Sequence, residues 1–481
     1  MTSHSTASVD SKASEALPES RTASLCPVCL TLVPARIFEA GGRAYMVKNC
    51  PEHGSFTGLV WSSAERYVNS FKYRRPGSKF AECATSTDRG CPYDCGLCPD
   101  HLQHTCLAIV EVTQKCNLHC AVCLASAPKA EQPSLEEFEF ALKALLRHEG
   151  APTPLQLSGG EPTTRRDLCD IVELTRSLGF KYVEIDSNGI ELARNPKLTC
   201  DLAKAGLDGV YLQFDGVTDD VYAALRGANL LNVKLQAVRN ALKAGLRVTL
   251  ACTLVKNVND HQAWDIVKYA VRQGLTGVNF QPLAFLGRYP SEASFVNPLE
   301  RITNSDVAFA LASQSGGEVS VSDFIPVPCP DNRCQLMAYM KVEDGKLVPA
   351  SRSISQEELT EYYAMFTDSS RMDEAVKAVA ERMKRSNEAS ELPQLPTAGC
   401  CSGSTSCLPT QAGPSSGGER YFAVTSHAMM DVWNTDVNRL RRCCVHELTL
   451  DGKLTPFCLY NYTSLTGETL YRGVRRDQHS R

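Results

Sequence analysis

Cys116, Cys120 and Cys123, in the run Thr113-Gln-Lys-Cys-Asn-Leu-His-Cys-Ala-Val-Cys123, are the residues best placed by type and spacing to do chemistry. The C-x3-C-x2-C spacing supplies three thiolates, one short of the four that close a [4Fe-4S] cube. One iron is thereby left open to a small molecule, and an open coordination position marks catalysis rather than structural support, as it does for zinc. The run follows a strand-like segment, Ala108-Ile-Val-Glu-Val-Thr113.

The chain has 22 cysteines, and its first 22 residues lack the apolar core of a secretory signal. Reduced cysteines in a cytoplasmic protein point to metal rather than to disulfides. Cys26-Pro-Val-Cys29 and Cys50-Pro-Glu-His53 flank a hairpin-like stretch around Gly41-Gly42. Cys26, Cys29, Cys50 and His53 suit one Zn or Fe ion in a module too small to hold itself by its core. Cys91, Cys95, Cys98 and Cys106 supply four thiols, enough for an auxiliary [4Fe-4S] cluster or, alternatively, a second zinc site. Cys329 and Cys334 with two or more of Cys443, Cys444 and Cys458 would make a second auxiliary cluster by tertiary proximity. Cys83, Cys169, Cys200 and Cys252 stand apart and read as buried small apolar residues.

Between 108 and 290, strand and helix patterns alternate. Strands are expected at 108–113, 154–158, 181–187, 209–215, 247–255 and 277–284. Ser134 and Glu137 form a capping box before the apolar stripe Leu135, Phe138, Leu142 and Leu145, and a second helix fits 232–244. Six β-α units imply an α/β fold, a parallel sheet curled into a partial (β/α)6 barrel. Chemistry in such barrels sits at the C-terminal strand ends, where the triad falls. The expected organisation is a disordered leader (1–22), a metal knuckle (23–72), an auxiliary-cluster segment (80–107), the barrel (108–320) and a C-terminal auxiliary-cluster domain (321–481). The last contains a flexible Ser/Gly/Pro-rich insert (388–420) holding Cys400, Cys401 and Cys407.

Beyond these spacings, the triad after the first barrel strand, followed one strand later by Leu157-Ser-Gly-Gly-Glu-Pro162, resembles the radical S-adenosylmethionine (SAM) superfamily. The resemblance implies that Gly159, Gly160, Glu161 and Pro162 hold the amino group of SAM, the glycines by close backbone approach and the carboxylate by receiving an ammonium. Asp186, Asn188 and Asp215, at strand ends, are candidates for holding SAM or substrate, or else turn formers. The order Cys-Pro-x-Cys, Cys-Pro-Glu-His-Gly and Gly-Cys-Pro-x-Asp-Cys-Gly-Leu-Cys-Pro, with Phe214-Asp-Gly-Val217 and Pro456-Phe-Cys-Leu-Tyr-Asn461, is similar to the tetraether lipid synthase group. That group carries a rubredoxin-like metal site and auxiliary clusters, and couples hydrocarbon carbons. The chain departs from it in the Cys443-Cys444 doublet and in Cys400, Cys401 and Cys407. These surplus soft ligands argue against a lipid substrate, or else are alternate cluster ligands or a mobile loop. The chain also resembles the radical SAM enzymes of arsinothricin biosynthesis, which move a 3-amino-3-carboxypropyl group from SAM, and that resemblance implies trivalent arsenic as the soft acceptor.

The expected function is therefore reductive cleavage of SAM and bond formation by the resulting carbon radical, with a lean to aminocarboxypropyl transfer to arsenic. Hydrocarbon coupling by a 5′-deoxyadenosyl radical is the alternative. A non-catalytic iron–sulfur or arsenite-binding protein is the reading from another class. The implied partners are a small-molecule substrate, arsenical or lipid, and an electron donor such as ferredoxin or flavodoxin. A net charge of -4 without a long basic block argues against nucleic acid, and no apolar run reaches the roughly 20 residues of a membrane span.

Overall fold

The computed structural model describes residues 16–125, 132–290, 297–366, 371–387 and 420–473. The proposed leader lies outside these up to residue 15, as do residues 388–419 with Cys400, Cys401 and Cys407. Residues 16–22 are not part of a leader. They begin β1 (Ala16–Leu25), which pairs antiparallel with β2 (Leu32–Ala40), followed by β3 (Arg43–Cys50) and β4 (Gly54–Trp61). Gly41 and Gly42 turn β2 into β3 with positive φ, the conformation only glycine adopts freely.

Six strands form the curved parallel sheet: β5 (Leu107–Thr113), β6 (Leu155–Gly159), β7 (Val183–Ser187), β8 (Gly209–Gln213), β9 (Arg247–Leu254) and β10 (Gly277–Pro282). They lie side by side in sequence order, the arrangement right-handed β-α-β crossovers produce. The expected helices are present at Leu135–Glu149 and Leu231–Lys243, and the Ser134–Glu137 capping box closes as the sequence indicates. Their inward faces join the strands in one core, with Phe138, Leu142 and Leu145 packed beside Leu157, Leu168 and Ile185.

The C-terminal residues do not stand apart. β14 (Arg420–His427) adds parallel to β10 and β12 (Gln335–Glu343) antiparallel to β14, and the short β11 (Ile325–Pro326) and β13 (Lys346–Pro349) pair antiparallel with β12. At the other edge β15 (Val445–Leu448) adds parallel to β5 and carries β16 (Leu454–Pro456). Both open edges of the barrel are thus covered by one C-terminal segment, which removes unpaired backbone groups from solvent. The N-terminal sheet is docked on the same segment. Lys48 donates to Val432 O at 2.5 Å, and Arg333 binds Asp331 at 2.7 Å and Asp436 at 2.9 Å while also reaching Glu19. Among the described residues no helix is long and apolar enough to cross a membrane.

Candidate active site

The triad loop leaves β5 and is clamped by backbone on three sides. On one side the Gly159-Gly160-Glu161 turn lies against it. Gly160 N donates to Thr113 O at 2.7 Å and Glu161 N to Lys115 O at 2.8 Å. On the second side Cys123 and Arg288 exchange both backbone hydrogen bonds, at 2.8 and 2.9 Å. On the third, Ala121 N donates to Leu225 O at 3.1 Å, and the Arg226 guanidinium donates to Val122 O at 2.9 Å.

This geometry changes the role of the glycines. A Cβ on Gly159 would lie 2.0 Å from Thr113 O, and one on Gly160 2.3 Å from Lys115 O. The glycines are required for the turn to reach the cluster loop. The Glu161 carboxylate, 1% exposed, is likewise occupied within the protein. It accepts from Thr163 N, Thr163 Oγ1, Ser187 Oγ at 2.8 Å and Asn188 N at 2.7 Å, so its side chain ties the ends of β6 and β7 together. Pro162 is buried behind it and opens a short helical turn.

Asp186 and Asn188 stand at the end of β7 and line one cavity with Cys116, Cys120, Cys123, Gly159, Gly160 and Glu161, a space of about 200 Å³. Asn188 Nδ2 donates to Asn117 Oδ1 at 2.7 Å, one residue from Cys116. Burial, and then the charge of Glu161, raises the Asp186 carboxyl to about 7. Asp215 does not reach the cavity wall. It forms a bidentate pair with Arg226 at 2.7 and 2.8 Å, and so holds the arginine that binds Val122 O. Burial raises the Cys116 and Cys123 thiols, and neighbouring negative charge, including that of their fellow thiols, raises them further. A bound metal cation would relieve both effects, so the triad fits an iron cluster.

The remaining thiols fall into groups the spacing only partly indicates. Cys26, Cys29, Cys50 and His53 place their ligand atoms within 4.8 Å of one another, the reach of one ion bonded at about 2.3 Å. Cys91, Cys95 and Cys98 line one small recess with His101 and Arg441. Cys106 is not with them. It lies with Cys329 and Cys444, all within 4.8 Å, and its Sγ is 2.6 Å from that of Cys444. The Cys443-Cys444 doublet is therefore split. Cys444 belongs to that trio, whereas negative charge at Cys458 and Cys334 raises the Cys443 thiol after burial, and Arg439 donates to Cys334 Sγ at 3.1 Å. Of the four cysteines read as buried apolar residues only Cys252 is buried; Cys83 and Cys200 are exposed and Cys169 is intermediate.

The sequence reading missed the polar inner wall. Gln156, Ser158, Tyr211, Gln213, Asn279 and Gln281 project from the barrel strands into the cavity. Glu111, Glu447, Asn461 and Arg472 join them, with Arg472 paired to Glu111 and donating to Asn461 Oδ1 at 2.6 Å. Each is a lone polar residue in a buried strand or a distant loop, and only strand alternation could have flagged those on strands as inward-facing.

A thiol triad at the mouth of a parallel partial barrel, clamped by a Gly-Gly-Glu turn, defines the radical SAM class of enzyme. A model of the radical SAM superfamily matches residues 110–270, and one of the HMPTM N-terminal zinc ribbon domain matches residues 18–62. The chain is 36% identical to 7,8-dihydro-6-hydroxymethylpterin dimethyltransferase of Methanocaldococcus jannaschii, over 92% of this chain and 93% of that protein. It belongs to that protein's family within the radical SAM superfamily. It is also 28% identical to a probable GTP 3′,8-cyclase of Sulfurisphaera tokodaii over 40% of this chain and 61% of the cyclase. Among solved structures, Streptococcus suis SuiB bound to S-adenosylmethionine matches with a TM-score of 0.37 and 14% identity, over 45% of this chain and 48% of SuiB. The full-length relative bears neither the tetraether nor the arsinothricin name that the motifs suggest.

Proposed function

We propose that this enzyme transfers a SAM-derived carbon group to a compact polar acceptor. Cys116, Cys120 and Cys123 would hold a [4Fe-4S] cluster, and Gly159, Gly160, Glu161, Asp186 and Asn188 would shape the place of SAM beside it. When bound and reduced, that pair supplies a carbon-centred radical; the protein aims it and excludes water. The observation that carries the reading is that triad, Gly-Gly-Glu turn and polar wall share one cavity. Glu447, whose Oε1 has no hydrogen-bond partner, is poor company for a hydrocarbon chain, since an unpaired polar group facing an apolar ligand stays without a partner. Hydrocarbon coupling is accordingly the least supported of the readings.

Two acceptors remain of the right character. The relative's name points to an amino-substituted heterocycle of the pterin kind. Aminocarboxypropyl transfer to trivalent arsenic is favoured by the Cys106–Cys329–Cys444 trio, a soft three-thiol set packed with Ile109 and Val445, which also line the cavity. Cys26, Cys29, Cys50 and His53 would hold one Zn or Fe ion, and the Cys91 and Cys334 groups would serve auxiliary clusters fed by a ferredoxin or flavodoxin. The test is anaerobic reconstitution and reduction with SAM, with 7,8-dihydro-6-hydroxymethylpterin or arsenite as acceptor. A SAM fragment found covalently attached to one of them supports the reading. Cleavage of SAM with neither acceptor modified contradicts it.

A further inference from the structure

The cavity wall also takes in β15 and the C-terminal loop, through Val445, Glu447, Phe457, Asn461 and Arg472. Glu447 lies there, 2% exposed and on the cavity wall, and its Oε1 has no hydrogen-bond partner. Asn279, 1% exposed and on the same wall, has an unpartnered Oδ1 while its Nδ2 donates to Tyr211 at 2.7 Å. β15 and β10 sit toward opposite ends of the curved sheet, so these two oxygens come from separate parts of the wall. Buried acceptors without partners are rare in folded proteins, because each forfeits its solvation. The Arg472 guanidinium donates to Glu111 and Asn461, and its charge offsets only part of the cost of burying Glu447.

We infer that Glu447 and Asn279 form a substrate subsite that takes a small neutral molecule through its N–H or O–H donors. This rests on the function proposed above and adds the chemistry by which the acceptor is recognised. A neutral donor suits the surroundings. Burial holds the Glu447 carboxyl well above the usual carboxylate range, with the charge of Glu111 acting in the same direction, Arg472 against it and Asp186 adding to the rise, so the site disfavours the charged form. A protonated carboxyl accepts through its carbonyl oxygen and donates through its hydroxyl, and a carboxylate accepts through both oxygens, so in either form it can receive a ligand N–H or O–H. An aminated heterocycle edge and the hydroxyls of arsenous acid share this donor chemistry, and the experiment separates them.

The reconstituted holoenzyme is titrated with 7,8-dihydro-6-hydroxymethylpterin, followed by fluorescence, and separately with arsenite, followed by equilibrium dialysis and arsenic analysis. Glu447→Leu should weaken one of the probes about tenfold or more, the effect of leaving a ligand donor unpaired, while Glu447→Gln, which keeps a carbonyl, should recover most of the affinity. Iron content and circular dichroism report whether each variant is intact. If Glu447→Leu does not fold, Asn279→Leu makes the same test from the other wall. Which probe weakens names the donor. Equal affinity in wild type and variants, or no binding of either probe to the wild type, overturns the subsite. A wild type that binds a probe but leaves SAM uncleaved contradicts the function instead.

Discussion

Replacing Gly160 with alanine tests whether the Gly-Gly-Glu turn exists to meet the cluster loop. Its backbone is not in the left-handed region, so alanine meets no conformational penalty of its own. On an open surface the change would stabilise by about 0.4–1 kcal/mol through the unfolded chain. Here the new Cβ would sit 2.3 Å from Lys115 O, 2.7 Å from Lys115 C and 2.8 Å from Gln114 O. Ordinary contact begins at 3.4 Å, so turn and loop must part by about 1 Å. All the close atoms are backbone, so no side chain can swing away. That movement breaks Gly160 N to Thr113 O and Glu161 N to Lys115 O. Two donors left without partners cost roughly 2–6 kcal/mol together. Urea denaturation of the apoprotein should show that loss, and reconstituted Gly160→Ala should retain less iron at the triad. A variant as stable as wild type, or more so, with full iron would refute the close approach.

Further outcomes follow from other parts of the site. Arg226→Gln leaves Asp215 buried without its partner and should cost about 3–5 kcal/mol in denaturation midpoint analysis; a cost below about 1 kcal/mol would show that the pair does not brace the loop. Cys50→Ser should remove one metal equivalent by elemental analysis and leave the visible iron–sulfur absorbance intact; a loss of iron–sulfur colour instead would contradict a separate ion at Cys26, Cys29, Cys50 and His53. Asp186 has a pKa raised from 3.8 to about 7. Its stabilising contribution is therefore full below about pH 4 and is lost as pH rises through 7. Asp186→Asn should flatten that decline in apoprotein stability by up to about 4 kcal/mol between the two limits, and parallel pH profiles of variant and wild type would refute it.

The barrel was legible because each strand is a short apolar run bounded by turn residues, and because Ser134 and Glu137 announce a helix locally. The edge strands β14 and β15 were not, since their place is set by pairing with β10 and β5 across long stretches of chain. The same holds for the cysteines. Local spacing located the triad and the Cys26–His53 set, but Cys106 meets Cys329 and Cys444 only through the fold. Asp215 is by sequence a candidate for SAM or substrate, or else a turn former; in the fold Arg226 occupies it, and no sequence pattern joins two residues eleven apart across a loop. Glu447 carried no local signal at all; burial opposite Glu111 and Asp186 gives it meaning.

Cys116, Cys120 and Cys123 are expected to run the chemistry, and the other thiols are not. The most direct test compares wild type with the Cys116→Ala/Cys120→Ala/Cys123→Ala variant, both reconstituted, reduced and given SAM, with SAM fragments measured by mass spectrometry. Wild type should yield 5′-deoxyadenosine or an aminobutyrate-type fragment and the variant neither, while the variant keeps its Cys26–His53 metal ion. Fragments from the variant at the wild-type rate, or none from a fully loaded wild type, would contradict that assignment.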